Sequence, residues 1–423
     1  MAYKAPRGTR DVLPDESWKW QRVEQVFKET ADRFGYREIR LPVFEETELF
    51  ARGIGDATDI VRKEMYTFTD RKGRSLTLRP EGTAGTVRSF IEHNMGRGAR
   101  LTKLHYFCPM FRYERPQAGR YRQFWQWGLE AIGSMNPAVD AEIIHFSVDL
   151  FKNLGLAGAS ARVNSAGCPK CTPAYNELLR ERLAGKLDQF CADCQVRYER
   201  NPRRMFDCKN ENCLELLKDA PSILESLCDE CADHFAGVQA YLSKMDVRFS
   251  VDPSMARGLD YYTKTVFEVH YEGLGAQSAL CGGGRYDALV EELGGASTPA
   301  CGVSSGVERL ITALDDTGAM KSGEPCPDVY VVSLGDEAGL AAAAVIAELR
   351  KSVSVETDYR GRSIKAQMKE AGKMGAGHVV IVGEDEVKRG VAVFKNMSTG
   401  EQEEAPLDDV AVRIAELIDL PAR

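Results

Sequence analysis

Apolar positions recur at helical spacing from Trp18 to Ala31, after Pro14, Asp15 and Ser17 supply a helix start. Gly35 ends that pattern, and Tyr36 to Pro42 reads as a strand closed by its proline. Short strands are predicted at Met65–Thr69 and Ser75–Leu78, around the turn from Asp70 to Arg74. A helix follows over Glu81–His93, then a strand over Leu104–Phe111. Pro137–Leu154 is amphipathic with the helical period. Strand character returns at Val247–Val251 and Thr265–Tyr271, and Tyr286–Leu293 reads as a helix. Beyond Cys326 the order becomes strand, helix, strand: Val329–Ser333, Ala341–Leu349, Val353–Glu356, Ile364–Ala371, His378–Val382 and Val391–Lys395. Alternation of that kind predicts a small α/β domain. Gly323–Pro327 is the linker in front of it.

Between Phe111 and Phe124 two aromatic-rich runs flank a turn with Pro116 and Gly119, the pattern of a hairpin. It carries Arg112, Arg115, Arg120 and Arg122 against one carboxylate, Glu114. Arginine presents a planar fork that pairs two phosphate oxygens at once. The hairpin therefore suits a phosphate, and its loop can reach a nucleic acid. A salt-bridged surface hairpin would use the same residues.

With 423 residues there is room for two or three domains, and 43% hydrophobic with 28% charged residues is ordinary for a globular protein. A net charge of −8 argues against a general nucleic-acid binder. It leaves room for a basic island: Arg97, Arg100, Lys103, Arg112, Arg115, Arg120 and Arg122 face Glu114 alone. No apolar run approaches the ~20 residues that span a bilayer, and no secretory h-region opens the chain. The expectation is a cytoplasmic protein with reduced thiols and no membrane partner.

Four further groups keep the hairpin company. Leu78-Arg-Pro-Glu81-Gly-Thr83 sets a carboxylate and a hydroxyl at a strand-to-helix junction. In Gln126-Trp-Gly-Leu-Glu130, Gln126, Gly128 and Glu130 alternate onto one face. Arg257-Gly-Leu-Asp-Tyr-Tyr262 crowds a cation, a carboxylate and two phenols beside a glycine. Gly302-Val-Ser-Ser-Gly306-Val-Glu308-Arg309 runs from a glycine-spaced strand into a helix. There is no P-loop and no His-Glu-x-x-His, so those routes to nucleotide and metal chemistry are excluded.

These motifs resemble those of the histidyl-tRNA synthetases, a class II (class IIa) aminoacyl-tRNA synthetase family. Phe111-Arg-Tyr-Glu114 resembles motif 2 and Gly306-Val-Glu-Arg309 motif 3, while Tyr36–Pro42 resembles motif 1, the dimer-interface strand. Arg257–Tyr262 and Gly283-Gly-Arg-Tyr-Asp287 look like the family's two signature peptides. The resemblance implies an α+β catalytic domain with an antiparallel sheet over residues 1–325, a cysteine-rich helical insertion over 168–246, and a C-terminal α/β anticodon-binding domain over 326–423. It implies a homodimer that activates L-histidine with ATP and Mg²⁺ and then charges tRNA(His). By the same resemblance Arg112 takes the α-phosphate, Glu114 the adenine amino group and Arg309 the γ-phosphate end. Arg257 would bridge the carboxylate and the α-phosphate, sharing the catalytic role with Arg112. Histidine contacts fall to Glu81, Thr83, Gln126, Glu130, Arg257, Tyr261, Tyr262 and Tyr286, and the acceptor end of the tRNA to Arg115, Gln117 and Arg120. The anticodon domain is acidic overall, so its contacts would have to come from local groups such as Arg360, Arg362, Lys365 and Lys369. A synthetase-like regulatory subunit would be expected to have lost the signature peptides and the C-terminal domain, and a sensor that no longer catalyses to show decay at Arg112, Arg257 or Arg309. The peptides, the domain and all three arginines stand.

Eight of the 12 cysteines lie between Cys168 and Cys231, in four pairs: Cys168 and Cys171, Cys191 and Cys194, Cys208 and Cys213, Cys228 and Cys231. In a reducing compartment such pairs read as tetrahedral Zn²⁺ sites of a structural kind. One arrangement joins the first two pairs in one site and the last two in another, and spacing alone does not fix the pairing. Many relatives have an insertion here without the cysteines.

Overall fold

The structure is a computed structural model, and it describes residues 3–55, 58, 60–98, 101–116, 119–255, 261–320 and 326–418. Arg100, Gln117, Arg257 and much of the expected linker lie outside the described residues. The chain divides into two compact units, residues 1–323 and 324–423.

In the first unit an eight-stranded sheet runs in the order Arg37–Glu38, Thr102–Phe111, Gln123–Ile132, Ala300–Gly306, Ala279–Arg285, Thr263–His270, Ser160–Ser165, Phe249–Val251. The two outermost pairings are parallel and the rest antiparallel. The expected motif 1 strand is thus reduced to Arg37–Glu38, paired with Leu104 and His105. Pro42 cannot donate to a ladder, and Pro42 with its neighbours falls outside the strand.

Helix Pro14–Arg33 turns Trp20, Val23, Val26, Phe27, Thr30 and Ala31 inward, one face at helical spacing. With helices Pro137–Asn153, Asp229–Lys244 and Val307–Asp316 it covers one face of the sheet. Trp127, Leu129 and Ala131 point into that core, so Gln126, Gly128 and Glu130 must face the other way. Phe235, Val238 and Leu242 of helix Asp229–Lys244 pack in the same core. That helix therefore belongs structurally to the catalytic layers, and the insertion's own packing ends near Cys228.

The second unit has a five-stranded sheet in the order Val355–Thr357, Val329–Ser333, His378–Val382, Val391–Asn396, Gln402–Pro406. The first three strands are parallel and the last two antiparallel. Its core combines Val329, Val331, Val380 and Val382 with Val345, Ile346 and Leu349 of helix Asp336–Leu349. Helix Glu384–Arg389 and strand Gln402–Pro406 carry too few apolar residues to show in the sequence pattern. Here Arg362 is paired with Asp358 at 2.6 Å and Glu370 at 3.5 Å, and Arg360 lies 3.8 Å from Asp358. Lys365 and Lys369 stand exposed.

Candidate active site

The uncovered face of the sheet carries a cleft of about 500 Å³, lined by Glu81, Thr83, Arg112, Glu114, Arg120, Gln126, Tyr261, Tyr262, Tyr286 and Arg309 among others. These residues come from five separate stretches of sequence, brought together by the register of the central strands. Arg112 sits just past strand Thr102–Phe111, where its Nε donates to the Pro80 carbonyl at 2.8 Å. Its guanidinium lies 5.3 Å from the centre of the Phe124 ring. One nitrogen and one flat face are thereby fixed, and the remaining donors are left toward the cleft. Glu114 lies 3.9 Å from Arg112 and 3.4 Å from Arg120. Arg309 opens the next wall from the first turn of helix Val307–Asp316. Glu308 beside it accepts from the Trp125 amide at 2.8 and 3.0 Å, which fastens the helix head to the hairpin. Burial pushes the Glu308 carboxyl up to about 7.

The opposite wall is acidic. Glu81 accepts from the amides of Thr83 at 2.6 Å and Ala84 at 2.9 Å, so it caps helix Thr83–Glu92. Glu130 is not on the cleft wall but directly behind it. Its carboxylate accepts from Thr83 Oγ1 at 2.8 Å, from Tyr106 at 3.3 Å and from the Tyr286 hydroxyl. Burial raises the Glu81 carboxyl above its ordinary range and drives Glu130 to about 8. Neither acid has an ion-pair partner among the described residues. Gln126 donates to Ser304 Oγ at 3.2 Å, while its buried Oε1 has no partner among the described residues.

Close packing sets this floor. Gly302 lies opposite Glu130 in the ladder, and a Cβ at Gly302 would meet Glu130 Oε2 at 1.9 Å. Tyr106 lies opposite Gly128, and its ring is wedged between Gly82 and Gly128, where a Cβ at either would approach to 2.3 Å. The sequence reading missed Tyr106, along with Phe124, Glu268 and Ser304 of the lining. The glycines at positions 82 and 128 were the available signal, but only the strand register connects them. Arg122 departs from the reading of an unopposed hairpin. It stacks 3.8 Å from the Tyr113 ring centre, donates to the Glu114 and Arg7 carbonyls, and gives its amide to Gly8. Arg115 is exposed and does not line the cleft.

Beneath Tyr286, Arg285 is fully buried and donates to Asp140, to Asp287 at 3.1 Å and to the Ser134 carbonyl at 2.8 Å. His234 and Arg285 together hold the Asp140 carboxyl below its usual range, against the upward push of burial. The second signature-like peptide is thus partly an anchor: Arg285 holds the strand end from which Tyr286 projects.

The eight cysteines gather into two tetrads, Cys168–Cys171–Cys228–Cys231 and Cys191–Cys194–Cys208–Cys213. This corrects the arrangement of first pair with second and third with fourth: the pairing is nested, first with fourth and second with third. The reason is topological, since Cys168 leaves the sheet where Cys228 returns to it. Within each tetrad all sulfurs lie within 4.8 Å of one another; Cys168 is 3.6 Å from Cys171 and 3.8 Å from Cys228, and Cys191 is 3.8 Å from Cys208. A Zn–S bond of about 2.3 Å gives a tetrahedron edge of about 3.8 Å, so the donor sets fit such an ion. Backbone amides of Cys228, Cys191 and Asn210 donate to Cys171, Cys213 and Cys208 at 3.1, 3.3 and 3.4 Å, as suits anionic sulfur.

A largely antiparallel sheet, with an arginine hairpin facing a second arginine at a helix head, defines a class II aminoacyl-tRNA synthetase. The histidyl-tRNA synthetase family model matches residues 8–310, and the anticodon binding domain model matches residues 328–417. The chain belongs to the histidyl-tRNA synthetase family. It is 50% identical to a histidine–tRNA ligase of Halothermothrix orenii, over 99% of this chain and 100% of that protein. It is 49% identical to that of Caldanaerobacter subterraneus subsp. tengcongensis, over 97% and 99% of the two chains. The crystal structure of apo histidyl-tRNA synthetase from S. aureus superposes with a TM-score of 0.83 at 38% identity, covering 98% of this chain and 100% of that one. Among the described residues no helix is long and apolar enough to cross a membrane.

Proposed function

We propose that this chain is a histidine–tRNA ligase: it joins L-histidine to ATP, giving histidyl-adenylate and pyrophosphate, and then transfers histidine to the 3′ end of tRNA(His). One observation carries the reading. A single cleft sets Arg112 and Arg309 against an acidic wall, Glu81 lining it and Glu130 buried behind it, and neither acid has an ion-pair partner among the described residues. Activation brings a carboxylate onto a phosphate, anion against anion, while the same amino acid carries an ammonium. The basic side suits the polyphosphate and the acidic side the ammonium.

In this reading Arg112 holds the α-phosphate, Glu114 the adenine amino group and Arg309 the γ-phosphate end. Mg²⁺ on the β- and γ-phosphates would neutralise charge when bound. The ammonium goes to Glu81, Thr83 and the unpartnered Gln126 Oε1, with Glu130 acting through Thr83 and Tyr286. Tyr262 and Tyr286 take the imidazole, with Tyr261 packed 4.8 Å from Tyr262 and 5.6 Å from Tyr286 between ring centres. Arg257 keeps the bridging role that the family resemblance gives it. Arg115, Gln117 and Arg120 are the candidates for the acceptor end.

Residues 1–325 are assigned to catalysis and 326–423 to the anticodon, in a cytoplasmic homodimer. The dimer reading is supported by exposed Val43 and Phe44, close in sequence to the outermost strand, and by exposed Phe68, whose ring lies 6.1 Å from that of Phe44. The two cysteine tetrads are read as structural Zn²⁺ sites. Histidine-dependent exchange of pyrophosphate into ATP, without tRNA and with other amino acids as controls, tests the reading. Exchange with histidine alone supports it, and folded protein without exchange removes it.

A further inference from the structure

The two tetrads occupy different places in the fold. Cys191, Cys194, Cys208 and Cys213 sit within the insertion, among Leu183, Phe190, Tyr198, Met205 and Leu217, which form a small core of their own. Cys168 and Cys171 stand just beyond strand Ser160–Ser165, where the chain leaves the sheet, and Cys228 and Cys231 stand at the start of helix Asp229–Lys244, where it returns. At Gly167 the backbone has φ +68°, and a Cβ would come within 3.1 Å of Cys171 and 3.2 Å of Ile223. The chain turns tightly there to bring Cys168 and Cys171 against the other pair.

Lys264 connects this neck to the active site. It is 4% exposed and holds φ 49°, a left-handed conformation uncommon outside glycine. Its amide donates to the Gly167 carbonyl at 2.7 Å, and its own carbonyl accepts from Ala166 at 2.6 Å. Its ammonium lies 2.7 Å from Glu230 and 3.9 Å from Cys231 Sγ. In sequence it follows Tyr261, Tyr262 and Thr263 directly. Four thiolates around one divalent ion carry a net charge of −2, and the buried Lys264 ammonium, shared between Glu230 and the Cys231 sulfur, would offset part of it.

We infer that the chain holds two structural Zn²⁺ ions with separate duties: the inner tetrad folds the insertion, and the neck tetrad, through Lys264, positions Tyr261 and Tyr262 for histidine. This rests on the ligase reading above. Lys264 is a positioning residue, since it acts through its neighbours rather than on substrate.

The test compares wild type, Cys168→Ser/Cys171→Ser, Cys191→Ser/Cys194→Ser and Lys264→Met as full-length protein. Zinc per chain is measured by plasma mass spectrometry, and KM for histidine and for ATP by pyrophosphate exchange. Wild type should carry two zinc ions, each cysteine double variant one, and Lys264→Met two. The neck variant and Lys264→Met should both raise the histidine KM by about tenfold or more while the ATP KM hardly moves. The inner variant should leave both KM values near wild type. An unchanged histidine KM in Lys264→Met overturns the inference even if the neck variant fails to fold. So does an inner variant that raises that KM equally. Wild type that holds no zinc, and takes up none after refolding with Zn²⁺, overturns the sites themselves. Zinc-replete wild type without histidine-dependent exchange instead overturns the ligase reading and this inference with it.

Discussion

The Tyr286 hydroxyl donates its hydrogen bond to the Glu130 carboxylate; both residues are buried, the tyrosine in the cleft wall and the acid behind it. Thr83 and Tyr106 complete a shell of neutral hydroxyls around the acid. Such a shell orders a carboxylate without supplying the positive charge that would keep it ionised in a buried place.

A proton count follows. With its carboxyl raised to about 8, Glu130 is largely protonated at pH 7 in the ligand-free enzyme. An arriving ammonium favours the ionised form, so histidine binding releases up to about one proton per site. Titration calorimetry in buffers of different ionisation enthalpy reads this, and Glu130→Gln should abolish the buffer dependence. Because the folded pKa is raised above 4.5, the group's stability contribution is full below that value and lost as pH rises through about 8. The ligand-free melting temperature should accordingly fall across that window, and less so in Glu130→Gln. Buffer-independent heats for wild type would contradict the assignment.

Two arginines of one hairpin should behave differently. Arg112→Ala removes donors aimed into the cleft and should cut exchange by about 10²–10³-fold. Arg122→Ala instead loses the Tyr113 stack and the bonds to Glu114 and Arg7, so its main effect should be on stability. Arg257→Ala should depress adenylate formation by orders of magnitude while ATP binding largely survives. Steady-state kinetics beside equilibrium ATP binding separate the three cases.

Gly302→Ala is the smallest change that should disturb histidine recognition. The added carbon would sit 1.9 Å from Glu130 Oε2, so either the acid or the strand must move. A rise in histidine KM and a stability loss of about 1–3 kcal/mol are expected. A variant with wild-type histidine KM would mean that Glu130 does not act on substrate through this floor.

Arg285→Met should be a stability variant first. It leaves Asp140 buried without its cation, with the His234 imidazole at 3.5 Å as a remaining neighbour, and should cost about 3–5 kcal/mol in denaturant unfolding. Asp140, held below its usual carboxyl range, adds stability above its unfolded pKa near 3.8 and loses it as pH falls below that. The variant should therefore show a weaker acid dependence than wild type.

Much of this site was legible because its chemistry is written in short runs. Phe111–Glu114 and Gly306–Arg309 each deliver an arginine at a fixed place on a strand or helix end, and local pattern suffices to see that. Relations across the sheet were closed to such reading. Tyr106 reaches Glu130 only because positions 106 and 128 are ladder partners. The cysteines showed four close pairs, but which pair meets which is decided by where the chain leaves and returns to the sheet. Strand Gln402–Pro406 escaped notice because it lies at a sheet edge with four of its five residues exposed, and so lacks alternation.

The nested tetrads also impose an order on synthesis. Cys168, Cys171, Cys191 and Cys194 all emerge before Cys208, so the first complete set of four thiols is a wrong one. The proper partners of Cys168 come last, when Cys228 and Cys231 appear several seconds later at about 5–20 residues per second. With the tetrads holding zinc as proposed above, a nascent chain that binds metal through its first four thiols must exchange ligands before it matures, and zinc supply during translation would become part of the yield of folded protein.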